Sequence, residues 1–209
     1  MIMKHIKNTL TAVLVAVSVS SLNADLILED FESYFDTSSL QADVFTFGSA
    51  AQAGKPSLAV GLGENSTKAA CFNLTWETGN NANLCFINLS PNTKDLSGYT
   101  EVTSYVLLQD YSSVGRADET ASPTLAKLAI EGTDGSIWQT RTIKAERLPV
   151  DSAYKLRFRL SPADMERVEG TGSFKKTLSD VKNIRMRFEN AKRSGFRQDA
   201  YIDSITAVQ

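Results

Sequence analysis

Strict two-residue alternation is the feature that most constrains this chain. In Tyr154 to Leu160, Tyr154, Leu156, Phe158 and Leu160 fall on one face of an extended segment, and Lys155, Arg157 and Arg159 fall on the other. Ile184, Met186 and Phe188 alternate in the same way with Arg185, Arg187 and Glu189. A strand with one apolar and one charged face suits an antiparallel sheet that covers a core on one side and meets water on the other; it argues against a parallel α/β core. Turn signals punctuate the pattern. Asp134-Gly135 is a hairpin signal, and Gly79-Asn80-Asn81-Ala82-Asn83 has residues that tolerate positive φ. Roughly nine to eleven short strands with almost no helix predict an all-β fold, an antiparallel β-sandwich. One brief helix is expected: Ser161 as N-cap, Pro162 at the first helical position and Asp164 in the first turn, continuing through Arg167.

The two ends are read together. Asp30-Phe31-Glu32-Ser33 and Tyr201-Ile202-Asp203-Ser204-Ile205 each set an acid among apolar residues. They predict a first and a last strand lying side by side, each keeping a carboxylate at a sheet edge. That pairing would close the sandwich and bring Glu32 and Asp203 close together.

Residues 1–24 read as a signal peptide. Lys4 and Lys7 form a positive start, Leu10 to Val19 is mostly apolar, and Ala24 offers a small residue before Asp25. The apolar run falls short of the ~20 residues that span a bilayer, and no later stretch is apolar enough to do so. The expectation is a secreted or periplasmic protein whose single domain is residues 25–209, with no transmembrane segment in the mature chain. Cleavage there changes the formal charge from −2 to −4, because two lysines leave and no acid does. An acidic balance argues against nucleic acid as a partner. Cleavage also removes His5, the single histidine, which leaves no Ser-His-Asp or Cys-His pair and no histidine zinc site in the mature chain. Cys71 and Cys85 are the two cysteines. In an exported chain an even pair predicts a disulfide, here across a hairpin whose loop is Trp76 to Asn83. Two buried free thiols are the alternative.

The order of features is similar to a known family. An opening LEDFES, a middle GTDGSIWQTRTI, an alternating YKLRFRLSPADM and a closing LSDVKNIRMRFEN with AYIDSITAV resemble the galactose-binding-domain-like jelly rolls, which include many bacterial carbohydrate-binding modules. The resemblance covers most of residues 25–209 and is one of pattern. It implies a jelly-roll topology, and it implies a structural calcium carried by an acidic residue of the first strand and an aspartate of the last. By position these are Glu32 and Asp203, with Asp30 or Asp199 as further candidates. Two carboxylates suit an ion that takes ~6–8 oxygen ligands, with carbonyls and water filling the shell; the alternative is a pair of solvated edge acids.

The same resemblance implies sugar held by stacking on exposed rings. Trp76, beside the Asn-rich loop, and Tyr111, in a polar stretch, are the better candidates. Trp138 is a third, with core burial as the alternative reading, and Tyr99 and Tyr105 complete the set. The arginines add a ligand class. If the strands carrying Arg157 and Arg159 and those carrying Arg185 and Arg187 are neighbours, the four make a ladder. A guanidinium fork binds carboxylate or sulfate through two parallel hydrogen bonds, so an acidic polysaccharide or a cell-surface glycan is the expected partner. A solvated outer face is the plain alternative.

The functional expectation is a secreted, non-catalytic carbohydrate-binding module. Two other readings stay open. One is a polysaccharide lyase or glycoside hydrolase on the same fold, the hydrolase needing two carboxylates ~5–10 Å apart across a cleft. The other is a structural or protein-interaction domain of the cell surface.

Overall fold

The computed structural model describes residues 24–48, 55–76, 81–88, 93–110, 124–149, 151–190 and 196–209. All but the last residue of the expected signal peptide, and Tyr111, lie outside these. Among the described residues, thirteen strands form two antiparallel sheets. In the first sheet the order is β10 (Ala153–Arg159), β6 (Glu101–Asp110), β13 (Phe196–Val208), β4 (Lys68–Trp76) and β3 (Ser57–Val60), with β1 (Leu26–Glu29) also paired to β13. In the second it is β11 (Met165–Glu169), β8 (Ile137–Thr140), β7 (Thr124–Gly132), β12 (Val181–Asn190), β5 (Asn81–Asn88) and β2 (Val44–Gly48), with β9 (Glu146–Arg147) paired to β7. This is the antiparallel sandwich that the alternation predicts.

Each alternating segment turns its apolar face inward. Leu156 and Phe158 of β10 and Ala70, Phe72 and Leu74 of β4 join Ile184, Met186 and Phe188 of β12 and Leu128 and Ile130 of β7 in one core between the sheets. A first and a last strand pair as expected, Leu26 opposite Ala207 and Ile27 opposite Thr206, but β1 ends at Glu29, so Asp30 to Ser33 is a turn and not the strand. The Asp134-Gly135 hairpin joins β7 to β8, with Gly135 at φ +77 and its N–H donating to the Gly132 carbonyl at 3.0 Å.

The helical expectation is corrected. Ser161 to Asp164 is a tight turn. The Ser161 hydroxyl and the Asp164 carboxylate hydrogen-bond at 2.6 Å, and the chain goes straight into β11, so Arg167 is in a strand. Helices occur instead at α1 (Thr37–Asp43), capped by Asp36, and α2 (Phe174–Leu178), capped by Ser173. Each closes an end of the core, through Leu40 and Leu178.

The disulfide is also corrected. β4 and β5 are consecutive in sequence but belong to different sheets, so the two strands do not pair with each other as a hairpin. Phe72 and Leu74 occupy the inward positions of β4, which sends Cys71 to the opposite face of its sheet, against Ala69 and Tyr201. Cys71 is a buried free thiol there, while Cys85 sits opposite Met186 and Thr46 in the other sheet. The alternation that builds the core thus keeps the Cys71 sulfur on the outer side. Burial, then the Asp199 charge, pushes this thiol up to about 12. The folded protein should therefore leave Cys71 unalkylated by iodoacetamide at about pH 8 and expose it on unfolding in urea. Peptide mapping that finds Cys71 oxidised, or rapidly alkylated while folded, would count against this placement.

Candidate functional site

The outward-facing positions of the inner strands of the second sheet carry an interlocked set of polar side chains. Register carries one row across the sheet: Phe45 of β2, the Phe86 position of β5, Arg185 of β12, Ala129 of β7, Gln139 of β8 and Glu166 of β11. Beside that row Arg187 stands opposite Lys127, and Asn183 opposite Glu131. These residues take the outward positions because Ala126, Leu128 and Ile130, with Ile184, Met186 and Phe188, occupy the inward ones.

The polar groups of this face are withdrawn from water and locked in place. Lys127 is 4% exposed, Glu131 8% and Gln139 7%. Glu131 accepts from Lys182 at 2.8 Å and from Asn183 Nδ2 at 3.1 Å, and it pairs with Arg185. Burial pulls the Glu131 carboxyl up, but those donors outweigh it and hold the group below the usual carboxylate range. Glu189 pairs with Lys127 at 2.9 Å and with Arg187 at 2.6 Å, and Arg187 also donates to Gln139 Oε1 at 3.3 Å. Four cations (Lys127, Lys182, Arg185, Arg187) surround two carboxylates. Phe45, 43% exposed, lies in the same row as Arg185.

The expected ladder of four arginines does not form. β12 is an inner strand of the second sheet and β10 an edge strand of the first, so Arg157 and Arg159 belong to a different part of the surface from Arg185 and Arg187. Trp138 does not face outward with them. It stands opposite Ile130, on the core side, and meets Phe174 of α2 edge-on at 5.0 Å. Trp76 ends β4 opposite Phe196, and its side chain lies outside the described residues. Tyr99 packs against the core, and Tyr105 lies on the outer face of the first sheet, opposite Lys155 and Asp203. Phe45, Lys127, Glu131 and Gln139 were missed from the sequence. Their signal was the parity of β2, β7 and β8, where each sits one position off an inward apolar residue.

The chain ends build a second constellation. Neither carboxylate sits at a sheet edge: β13 is an inner strand, and Glu32 lies in the turn beyond β1. Asp203 is 1% exposed. Its Oδ2 accepts from the Glu64 N–H at 2.8 Å and from Thr67 Oγ1 at 2.9 Å, and its Oδ1 from the Ser204 N–H at 2.6 Å. Glu32 Oε1 accepts from the Lys68 N–H at 2.7 Å, while the Lys68 ammonium donates to the carbonyls of Glu32 and Tyr34 at 2.9 and 2.8 Å. Burial first, and the Glu32 charge in addition, push the Asp203 carboxyl above its ordinary value. Asp30 accepts from the Glu32 N–H at 3.1 Å, and Asp199 bonds Asn73, so both are engaged locally.

Oxygen atoms of this kind are the donors a hard cation takes. The space that a side chain on Gly63 would enter is lined by the Lys68 carbonyl, with Asp203 Oδ2 and Thr67 Oγ1 at 2.6 Å from the Cβ position. Among the described residues no group of three or more acidic, cysteine or histidine side chains gathers for a metal, so carbonyls and water would complete such a shell.

A scan against family models and a search of curated proteins return no match. Solved structures do match. The family 11 carbohydrate-binding module from Clostridium thermocellum, in complex with a β-1,3-1,4-mixed-linked tetrasaccharide, aligns with a TM-score of 0.52 at 14% identity, over 88% of this chain and 95% of that one. A Caldicellulosiruptor saccharolyticus module, CBM27-1 with mannohexaose, aligns with a TM-score of 0.50 at 11% identity, over 89% and 97%. An exo-β-agarase aligns with a TM-score of 0.55 at 13% identity, over 88% of this chain and 25% of that enzyme. At these identities the likeness is one of fold. It is the β-sandwich of the carbohydrate-binding modules, as the sequence resemblance implied.

The Asp203 shift has a sign that can be measured. Its folded pKa lies above its unfolded one, so the stability linked to this group is present at low pH and declines as pH rises through the folded value. Glu32→Gln keeps an acceptor for the Lys68 N–H and removes one cause of the shift. Urea midpoints between about pH 3 and pH 7 should show a smaller decline in that variant than in the parent. Parallel curves would mean that Glu32 and Asp203 do not interact.

Proposed function

We propose that this chain is an exported, non-catalytic carbohydrate-binding module that holds an acidic polysaccharide across the outer face of its seven-stranded sheet. The observation that carries the reading is the charge of that face. Four cations stand around two carboxylates there, while the whole chain has a net charge of −2. The excess of cations around these two carboxylates is therefore local, and two of the four are guanidinium groups, which suit the carboxylate or sulfate of an acidic sugar. Phe45 supplies an exposed ring at one end of the row for the C–H face of a pyranose. The structural neighbours bound to a mixed-linked tetrasaccharide and to mannohexaose support a saccharide as the ligand class. The acidic preference rests on the arginines of this chain.

Binding sites on sheets work best when their side chains are held before the ligand arrives, because less conformational freedom is then lost. Glu131 and Glu189 do that here. Each pins cations without neutralising the face.

The test is affinity electrophoresis of residues 25–209 in gels containing neutral or acidic polysaccharide. Retardation by the acidic gels, lost at high salt, is expected. The double substitution Arg185→Gln and Arg187→Gln should weaken retardation by about tenfold or more, with circular dichroism unchanged. Equal retardation of parent and variant would remove this face from the reading.

We also propose a structural calcium held by Glu32 and Asp203, with the Lys68 carbonyl. The ion would supply the positive charge that offsets the burial and mutual repulsion of the two carboxylates. Added Ca²⁺ should raise the melting temperature by several degrees and EDTA should reverse the gain, an effect of about 1 kcal/mol or more. A melt indifferent to both would leave the Lys68 ammonium as the sole cation of the site.

A further inference from the structure

At the long edge of the sandwich, where β10 borders the second sheet, a cleft of about 440 Å³ opens beside Arg157 and Arg159. Its walls are charged and largely pre-paired. Arg157 donates to Glu101 at 3.0 Å, and Lys144 meets Asp164 at 3.2 Å. Asp164 is also held by Ser161, and these bonds keep its carboxyl below the ordinary range. Phe158, buried, lies behind them.

Two lining charges remain unspent. Arg159 stands directly opposite Glu101 in the β10–β6 ladder, yet Glu101 is taken by Arg157 one step along the same face. Its other acidic neighbour, Asp164, is taken by Lys144 and Ser161. Among the described residues, the side chains of Arg159 and Glu146 form neither an ion pair nor a hydrogen bond, although the Arg159 charge acts at longer range on Asp164. The cleft thus offers a guanidinium fork and a carboxylate acceptor, between two ion pairs that hold the rest of the wall in place.

We propose that this cleft is a second saccharide site, distinct from the sheet face, that takes one anionic sugar unit with its carboxylate or sulfate on Arg159 and its hydroxyls on Glu146. Both functions of such a sugar are matched. An anionic group needs parallel N–H donors, which a guanidinium supplies in a fixed fork. Ring hydroxyls are donors and an ionised carboxylate is acceptor-only, so Glu146 receives them. A neutral sugar leaves Arg159 unanswered and a simple anion leaves Glu146 unanswered. About 440 Å³ lies within the ~300–1,000 Å³ of small-ligand pockets. The site rests on the reading of the chain as a saccharide binder but uses different residues, so the two can fail separately.

The experiment is a titration of ¹⁵N-labelled residues 25–209 at low salt with three probes: trigalacturonate, glucose 6-sulfate and maltotriose. The Arg159 Nε–Hε signal should shift with trigalacturonate. Arg159→Gln should weaken that binding by about tenfold, Glu146→Gln should weaken it less, and Arg159→Lys should recover only part of the loss. A matching shift with glucose 6-sulfate would extend the site to sulfate esters, and its absence would restrict it to uronates. Shifts at Arg159 that maltotriose reproduces, or affinity for trigalacturonate that survives Arg159→Gln unchanged, would overturn the second site. If Arg187→Gln alone abolishes binding, the sheet face stands and the cleft falls. If Arg159→Gln alone abolishes it, the cleft stands and the face falls. A folded protein that shifts with none of the probes overturns the second site, and polysaccharide retardation in gels then decides the sheet face by itself.

Discussion

The closure of the sandwich depends on one strand. β13 pairs with β6 on one side and with β4 and β1 on the other, so it carries much of the first sheet. Its inward residues are Ala200, Ile202, Ile205 and Ala207, and their spacing changes from two to three at the centre. That step is a bulge between Asp203 and Thr206, with Ser204 at φ +49. One extra residue resets the parity, which lets both halves of the strand turn apolar side chains into the same core. The residue immediately before the reset is Asp203. Its carboxylate is caught by the Ser204 N–H and by the loop that includes Glu64 and Thr67, so the charge is buried where the sheet bends.

The sheets' two-sidedness then separates the chemistry. The inward residues are mostly apolar and shared, with a buried hydrogen bond from Thr124 to Gln198 at 2.9 Å linking the two sheets, while the outward faces differ. The second sheet carries interlocked cations and carboxylates around Glu131 and Glu189. The first carries the Ala69, Cys71 and Tyr201 patch and, at its β10 edge, the charges of the cleft. Arginines that look alike in the sequence are thereby sorted into separate environments. Arg185 and Arg187 stand on a broad surface with their counter-ions already bound. Arg159 is left over at an edge because its cross-strand partner is engaged diagonally.

Much of the architecture was legible in the residues themselves. Leu156, Phe158, Ile184, Met186 and Phe188 marked the inward face of two strands, Asp134-Gly135 marked a hairpin, and the end segments marked a paired first and last strand. Short-range signals failed where two local fits competed. Ser161-Pro162-Ala163-Asp164 satisfies the rules of a helix start, yet the same Ser–Asp contact closes a turn, and the inward position of Met165 favours the strand that follows. Asp36 and Ser173 were the capping residues that mattered.

Alternation alone determined the all-β class, the antiparallel pairing and which side chains face the core, because a period of two repeats over each strand regardless of its neighbours. It could not determine which strands are neighbours. That Cys71 and Cys85 lie in different sheets, that four arginines divide between two regions, and that Trp138 packs against Phe174 follow from sheet membership and crossover connections. These are settled only when the two apolar faces find each other across the core. Sequence spacing carries the local geometry, whereas the distance between residues far apart in the chain is decided by packing.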